Sequence, residues 1–403
     1  MNRLLFRTPE AQEVTIKPLW IKPLYTCLVL ACLVAAIVAI PHSGTSGSFL
    51  SNPVLAASDN PTAAAPVGWD RQAAERYLDS REVWWQSWDR AQKDHGTYCI
   101  SCHTQASYGL ARPVLRQDLG EPAPTGAERA MLDSIEKRVR MWKDVEPFYL
   151  DAVYGAGKEV ESRNAEAVLN ALILSSYDTQ QGHMNEATRM AFANAWALQS
   201  QIGPTSGAWV WQDFHYTPWE SPESEYHGAA LMAVAVGNAP DNYSKNKKII
   251  DNMAALTKYL STNFDDQPLL NKVIALWASA HIRGLITREQ RSELLADLGT
   301  RQQEDGGWSL SDLGDWERVD GTKLETRSDG YATGVTMLAL EANAVNDYHV
   351  RRGIQWLITN QDKTTGAWPA WSLNKNRDPK SNVGMFMSDA ATSYAVLALE
   401  ASR

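Results

Sequence analysis

The stretch Ser388-Asp-Ala-Ala-Thr-Ser-Tyr-Ala-Val-Leu-Ala-Leu-Glu-Ala401 indicates the architecture of this 403-residue chain, because it recurs. Clear copies are Ser328-Asp-Gly-Tyr-Ala-Thr-Gly-Val-Thr-Met-Leu-Ala-Leu-Glu-Ala342 and Ser224-Glu-Tyr-His-Gly-Ala-Ala-Leu-Met-Ala-Val-Ala-Val236, and weaker ones begin near Glu161 and Asp266. Small and apolar residues at helical spacing predict a buried helix in each copy. A helix that recurs in this way predicts a fold built from repeats.

A sixth copy is Cys102-His-Thr-Gln-Ala-Ser-Tyr-Gly-Leu-Ala111, which aligns with the start of the last copy. More polar, amphipathic segments lie before or between the copies, at about 70–95, 125–145, 185–201, 245–263, 287–303 and 347–361. Repeats that bury a face only against their neighbours can close into a ring. We therefore expect an all-α fold, an (α/α)6 toroid of six inner and six outer helices.

The loops that enter the inner helices share a second pattern. Gln302-Gln-Glu-Asp-Gly-Gly-Trp308 is an intact Gln-x-x-x-Gly-x-Trp, and related loops run over 196–209 and 356–368. Glycine permits the tight turn, the glutamine amide can bind the end of a neighbouring helix, and tryptophan covers the junction.

These loops, with inner helices that end in Leu-Ala-Leu-Glu-Ala, are similar to the squalene–hopene cyclase and prenyltransferase-type α/α toroids. The resemblance covers about 69–403 and is clearest over 185–403. It implies one toroid with an apolar cavity, which in those families holds an isoprenoid chain. Class II cyclases use an Asp-x-Asp-Asp-Thr acid, whereas the matching stretch here is Ser388-Asp-Ala-Ala-Thr392. This departure puts proton-initiated cyclisation in doubt.

Cys99-Ile-Ser-Cys-His103 is the attachment pattern of a c-type haem, and it is not part of the toroid family's pattern. The two thiols bind the porphyrin vinyl groups and the adjacent imidazole becomes an axial ligand of the iron. The alternatives are a Cys99–Cys102 disulfide and half of a zinc site, for which no second Cys/His cluster exists. The remaining cysteines, Cys27 and Cys32, lie in an apolar N-terminal run. We expect one covalent haem c, held by Cys99, Cys102 and His103.

The N-terminus predicts export. Residues 24–40 are almost wholly apolar, and positive charges precede them. We interpret 1–23 as a cytoplasmic n-region, 24–40 as a transmembrane helix or signal, 41–68 as a flexible linker and 69–403 as the folded body. The expected location is the bacterial inner membrane, single-pass, with the body in the periplasm. The net charge of −9, without a basic stripe, argues against nucleic acid as a partner.

Carboxylates at the starts of inner helices have two interpretations. Glu225, Asp329 and Asp389 follow serines and suit helix N-termini. They can also ring one mouth of the cavity. Since His103 aligns with Asp389, we expect the haem on the first inner helix, at that same mouth.

The distal ligand of the iron is predicted from the loop before the last inner helix. Met387 or Met385 can supply a thioether there, although core packing is an alternative for both. Other candidates are His227, His215 and His95. Trp84, Trp85 and Trp88 can share one helical face, against the haem or the first inner helix.

These observations predict a membrane-anchored periplasmic haem c protein that transfers electrons to an unknown redox partner. The alternatives are a haem-dependent oxidoreductase or binding protein for an isoprenoid or lipid, and a squalene cyclase-like enzyme without its acid. Whether the chain is an enzyme is left open, with oxidoreductase or electron carrier favoured over terpene cyclase.

Overall fold

The computed structural model describes residues 68–403. The predicted n-region, the transmembrane segment and all but the end of the linker lie outside the described residues. Within residues 68–403, no helix is long and apolar enough to cross a membrane.

Six buried helices contact one another in sequence, and the last contacts the first. These inner helices are α2 (Gln105–Asp118), α5 (Lys158–Gln181), α7 (Ser224–Asn238), α9 (Leu269–Ser279), α11 (Gly330–Ala342) and α13 (Phe386–Ala401). They begin close to the six predicted copy starts. Small side chains permit close approach: a Cβ on Gly334 of α11 would lie 2.7 Å from the Ala395 nitrogen of α13.

Six further helices lie outside this ring and alternate with the inner ones along the chain. They are α1 (Arg71–Ser87), α3 (Gly126–Arg140), α6 (Glu186–Leu198), α8 (Ile250–Asn263), α10 (Arg288–Arg301) and α12 (Tyr348–Thr359). A short helix, α4 (Asp151–Tyr154), completes the thirteen α-helices of residues 68–403. The all-α prediction is confirmed.

The first outer helix is shorter than predicted. It ends at Ser87, and a hairpin of β1 (Gln92–Lys93) and β2 (Thr97–Tyr98) follows. His95 and Gly96 turn the hairpin with φ of 56° and 64°. Lys93 pairs with Thr97, so the three residues 94–96 connect the two strands. The hairpin leads the chain directly into the Cys99–His103 segment.

The glutamine loops have the predicted local role. In each, the glutamine Nε2 donates to the carbonyl of the turn glycine and to a carbonyl near the start of the next outer helix. Gln302 binds Gly306 and His349 in this way, each at 2.8 Å. The tryptophan that follows donates to the preceding outer helix, as Trp308 does to Leu298 at 2.9 Å.

The third glutamine loop, over 356–368, joins the last repeat to the start of the first. Gln361 accepts from the Asp70 nitrogen at 2.7 Å and donates to the Asp70 oxygen at 2.8 Å. Trp69 packs edge-on against Trp368, with ring centroids 5.8 Å apart. The loop that elsewhere joins neighbouring repeats therefore closes the ring.

The predicted helix caps are correct in part. Asp329 is the N-cap of α11 and accepts from the Tyr331 and Ala332 nitrogens. Ser224 and Ser388 lie inside their helices, whose N-caps are Glu223 and Met385. Asp389 caps no helix, because its carboxylate is taken up by side chains of other elements.

Candidate functional site

A cavity of about 310 Å³ lies where the Cys99–His103 segment meets the start of α13 and two long loops. Cys102 and His103 form part of its wall. Six aromatic side chains also line it: Trp85, Trp88, Tyr149, Tyr216, Trp219 and Phe386. Of the predicted tryptophan face, Trp85 and Trp88 line the cavity, and Trp84 stacks on Trp88 at 5.1 Å.

The two cysteines of the motif are free thiols. Cys99 is buried, and its backbone is fixed on both sides: its nitrogen donates to the Ala91 oxygen at 2.8 Å and its oxygen accepts from the Trp85 indole at 2.9 Å. Burial raises the pKa of both thiols, that of Cys99 to about 11. The segment therefore presents two protonated thiols in a fixed backbone.

His103 lies among aromatic rings. It stacks on Phe386 with centroids 3.7 Å apart and meets Trp85 edge-on at 5.2 Å. Burial, with Arg81 and Arg377 nearby, lowers the pKa of His103 to about 3, so the imidazole is neutral. The imidazole is also part of the cavity wall.

The other side of His103 is tied to a buried carboxylate through one hydroxyl. Its Nδ1 lies 2.8 Å from Thr104 Oγ1, which donates to Asp389 Oδ2 at 2.8 Å. Arg81 donates to both oxygens of Asp389, at 2.7 and 3.0 Å, and Tyr77 donates to Oδ1 at 2.8 Å. Four donor contacts thus converge on this carboxylate.

Three charged side chains belong to the cavity wall: Glu220, Arg90 and Arg377. Burial raises the pKa of Glu220 to about 7, with Lys158 opposing the shift. The backbone of Glu220 pairs with Tyr216, which sets the side chain at the end of a tight loop. The wall therefore combines aromatic surface with one acid and two guanidinium groups.

The predicted distal candidates lie at different distances from this cavity. Met387 is buried and part of the wall, whereas Met385 is the N-cap of α13 and is not among the lining residues. His227 is buried in α7 away from the cavity, and its Nδ1 has no partner. His95 and His215 are exposed and pair with Asp94 and Asp213.

The three predicted mouth acids are not brought together around this cavity. Asp389 reaches His103 only through Thr104. Asp329 caps α11, and Glu225 lies in the first turn of α7, where burial raises its pKa to about 7. Neither Asp329 nor Glu225 is a lining residue of the cavity.

Sequence reasoning missed four residues that shape the site: Arg81, Thr104, Glu220 and Phe386. The signal for Thr104 is its position directly after the motif. The signal for Glu220 is its position at the end of the aromatic-rich segment 214–220. Arg81 and Asp389 are 308 residues apart, so no local pattern signals their pairing.

Comparison with known proteins finds no matching family profile and no matching curated protein. Among solved structures, the chain is similar to a glycosidase variant with bound glucose, at 12% identity and a TM-score of 0.46, over 83% of this chain and 99% of the other. A wild-type glycosidase matches at 12% identity and a TM-score of 0.44, with the same coverage. Another variant matches at 11% and 0.46, over 82% and 98%.

These findings contradict the predicted role. The structural neighbours named are glycosidases, and they support neither electron transfer nor the isoprenoid and cyclase alternatives. The description of an electron-transport protein with a metal ion held by protein side chains alone is also wrong for residues 68–403, which contain no group of three or more His, Cys, Asp or Glu side chains able to hold a metal ion.

The wall of the cavity does not extend the glycosidase likeness to activity. Glycoside cleavage ordinarily uses two carboxyl groups that flank the scissile bond. Among the lining residues, Glu220 is the one that carries a carboxyl group.

Proposed function

We propose that the cavity holds one covalent haem c, attached through Cys99 and Cys102 with His103 as axial ligand, and that the loaded pocket binds a small ligand. The observation that carries this proposal is the donor set beside the cavity: Cys102 and His103 line it, and Cys99 precedes Cys102 by three residues without being a lining residue. Two free thiols and a neutral imidazole occupy five consecutive residues beside an aromatic cavity. Thioether attachment needs the thiols unpaired, and iron ligation needs an unprotonated ring nitrogen.

The rest of the wall suits a porphyrin. Aromatic side chains supply the apolar contact that a macrocycle requires, and they shield it from water. Arg90 and Arg377 make no ion pair within residues 68–403. Haem carries two propionate carboxylates, and guanidinium groups bind carboxylates in a fixed, bidentate geometry. We assign these two arginines to the propionates.

When bound, the haem supplies an iron that takes small ligands. Met387 is the better placed of the two predicted methionines for the distal position, and a thioether is a weak donor that another ligand can replace. Glu220 faces the same cavity with a carboxyl group that can donate or accept a hydrogen bond. A small ligand with a polar end is therefore the class we propose.

Two finer features of the chain belong to this proposal. The closed ring of inner and outer helices is an (α/α)6 toroid of the kind that the Gln-x-x-x-Gly-x-Trp loops suggest. The body is exported and tethered by residues 24–40, since covalent haem attachment takes place outside the bacterial cytoplasm. The support is the charge pattern of the N-terminus and the two thiols of the body.

The test is a covalent haem stain on the denatured, exported full chain, with a reduced-minus-oxidised spectrum. The double variant Cys99→Ala, Cys102→Ala is expected to lose the stain completely. The matched control, Cys27→Ala with Cys32→Ala, is expected to keep it. A wild-type chain without covalent haem, or a stain that survives in the Cys99/Cys102 variant, overturns the proposal.

Ligand binding is tested with carbon monoxide on the reduced protein. We expect a bound species whose infrared C–O stretch shifts in Glu220→Gln, because a carboxyl group near the ligand polarises it. Absence of carbon monoxide binding in the loaded protein overturns the ligand-binding part and leaves the attachment result unaffected.

A further inference from the structure

We infer that Asp389 and Thr104 form a positioning relay for His103, which fixes the proton of the imidazole on Nδ1 and thereby sets the strength of the axial ligand. This inference rests on the proposed haem site, and it assigns a role to two residues that do not contact the cofactor. The observation behind it is the chain of contacts from His103 through one hydroxyl to a carboxylate on the last helix.

The donors at Asp389 decide the direction of every hydrogen bond in the relay. Arg81 and Tyr77 already donate to this carboxylate, and a guanidinium group has no acceptor. Thr104 has one hydroxyl proton, and Asp389 Oδ2 is 2.8 Å away as its acceptor. The Thr104 oxygen is then left to accept, so Nδ1 of His103 must carry the proton.

A proton on Nδ1 leaves Nε2 as the lone-pair nitrogen, which is the form that ligates iron. Second-layer hydrogen bonds of this kind orient a ligating histidine and raise its basicity. Here the Asp389 carboxylate acts indirectly, because the Thr104 hydroxyl lies between it and the imidazole and transmits the polarisation. A more basic imidazole favours ferric over ferrous iron and lowers the midpoint potential.

The same contacts fix the orientation of the His103 imidazole. The Thr104 hydroxyl is buried, and Ser101 Oγ accepts from the backbone nitrogens of Thr104 and Gln105, each at 3.1 Å. With the backbone held in this way, one orientation of the imidazole satisfies Nδ1. His103 therefore has its tautomer and its ring plane set before any cofactor binds.

Thr104→Val is the decisive variant, since it removes the hydroxyl with little change in shape. We expect covalent haem to be retained, the midpoint potential to shift to a more positive value, and the iron–histidine stretch in resonance Raman to fall in frequency. Thr104→Ser keeps the hydroxyl and is expected to restore wild-type values. The matched control is Thr336→Val, at a buried threonine of α11 whose hydroxyl has no partner; it should shift neither readout.

The outcomes separate this inference from the proposal beneath it. A wild-type chain without covalent haem removes both. Covalent haem with the same potential and the same iron–histidine stretch in wild type and Thr104→Val overturns the relay alone. Equal shifts in Thr104→Val and Thr336→Val also overturn it, because a general loosening of the core then explains them.

Discussion

At the scale of single residues, equivalent positions in two repeats have taken different tasks. Asp329 and Asp389 stand at matching places in their copies of the repeat, and both are buried. Asp329 accepts from backbone nitrogens at the start of α11. Asp389 instead accepts from Arg81, Tyr77 and Thr104. The surroundings, and not the repeat position, decide what each carboxylate does.

The first prediction concerns the two methionines at the start of α13. Met387→Ala is expected to convert the haem from low-spin to high-spin, because Met387 lines the cavity and its removal vacates the distal position. Met385→Ala is the control and should keep the wild-type visible spectrum, since Met385 caps the helix outside the cavity wall. Identical spectra for both variants contradict the assignment of Met387.

The second prediction uses a buried glutamate on α1. Glu82 Oε1 accepts from Gln86 and Gln105 at 2.8 and 2.7 Å, while Oε2 has no partner. Burial raises the pKa of Glu82 to about 7 from its ordinary 4.5. Between these values the folded chain holds a proton that the unfolded chain has lost, so the free energy of unfolding falls as pH rises. The loss is on the order of 3 kcal/mol and is complete above pH 7.

Glu82→Gln removes this titration and keeps the accepting oxygen. Urea unfolding at pH 4.5 and at about pH 8, in the same cofactor state, should therefore show wild type losing stability relative to the variant as pH rises. Parallel changes in the two proteins would mean that Glu82 does not titrate in this range.

At the scale of helices and loops, the sequence predicts what repeats. The inner helices, the outer helices and the glutamine loops follow from local spacing, since each repeat solves the same packing problem. The Cys99–His103 motif is local as well. What escaped prediction is the set of contacts between elements far apart in the chain: Thr104 meets Asp389 across 285 residues. The hairpin after α1 was missed because its two-residue strands are too short for an alternating pattern.

The third prediction tests the loop around Gln361, which joins the last repeat to the first. Gln361→Ala removes the amide that bonds the backbone of Asp70 and the carbonyl of Gly366. Because these backbone groups are left without partners in a partly buried place, we expect a loss of about 2 kcal/mol of unfolding free energy. Gln355→Ala, at an exposed position of α12, is the control and should change it by less than about 0.5 kcal/mol. Equal effects would show that the amide contributes nothing specific.

At the scale of the whole described body, the ring closes at one seam, where buried polar contacts add to the packing of the first and last inner helices. Inner helices α13 and α2 meet there, and outer helix α1 contacts both. Arg81 reaches from α1 to Asp389, and its Nη1 and Nη2 donate to the side-chain and backbone oxygens of Asn382, each at 2.8 Å. The proposed haem site stands at this seam, since His103 comes from the first repeat and Phe386 from the last. The site is complete only when the ring is closed.

The fourth prediction follows from this arrangement. Asp389→Asn leaves the Arg81 guanidinium buried without its counter-charge, which costs about 3–5 kcal/mol. Because the charge sits at the seam, amide hydrogen exchange should rise together in α1, α2 and α13, while α7 and α9, across the ring, keep their protection. Asp347→Asn is the control: the exposed Asp347 caps α12 by accepting from the Val350 nitrogen alone, and asparagine caps a helix as well as aspartate does, so exchange should change little. A uniform rise in every helix of Asp389→Asn would show that the ring opens as one unit and that its seam has no separate stability.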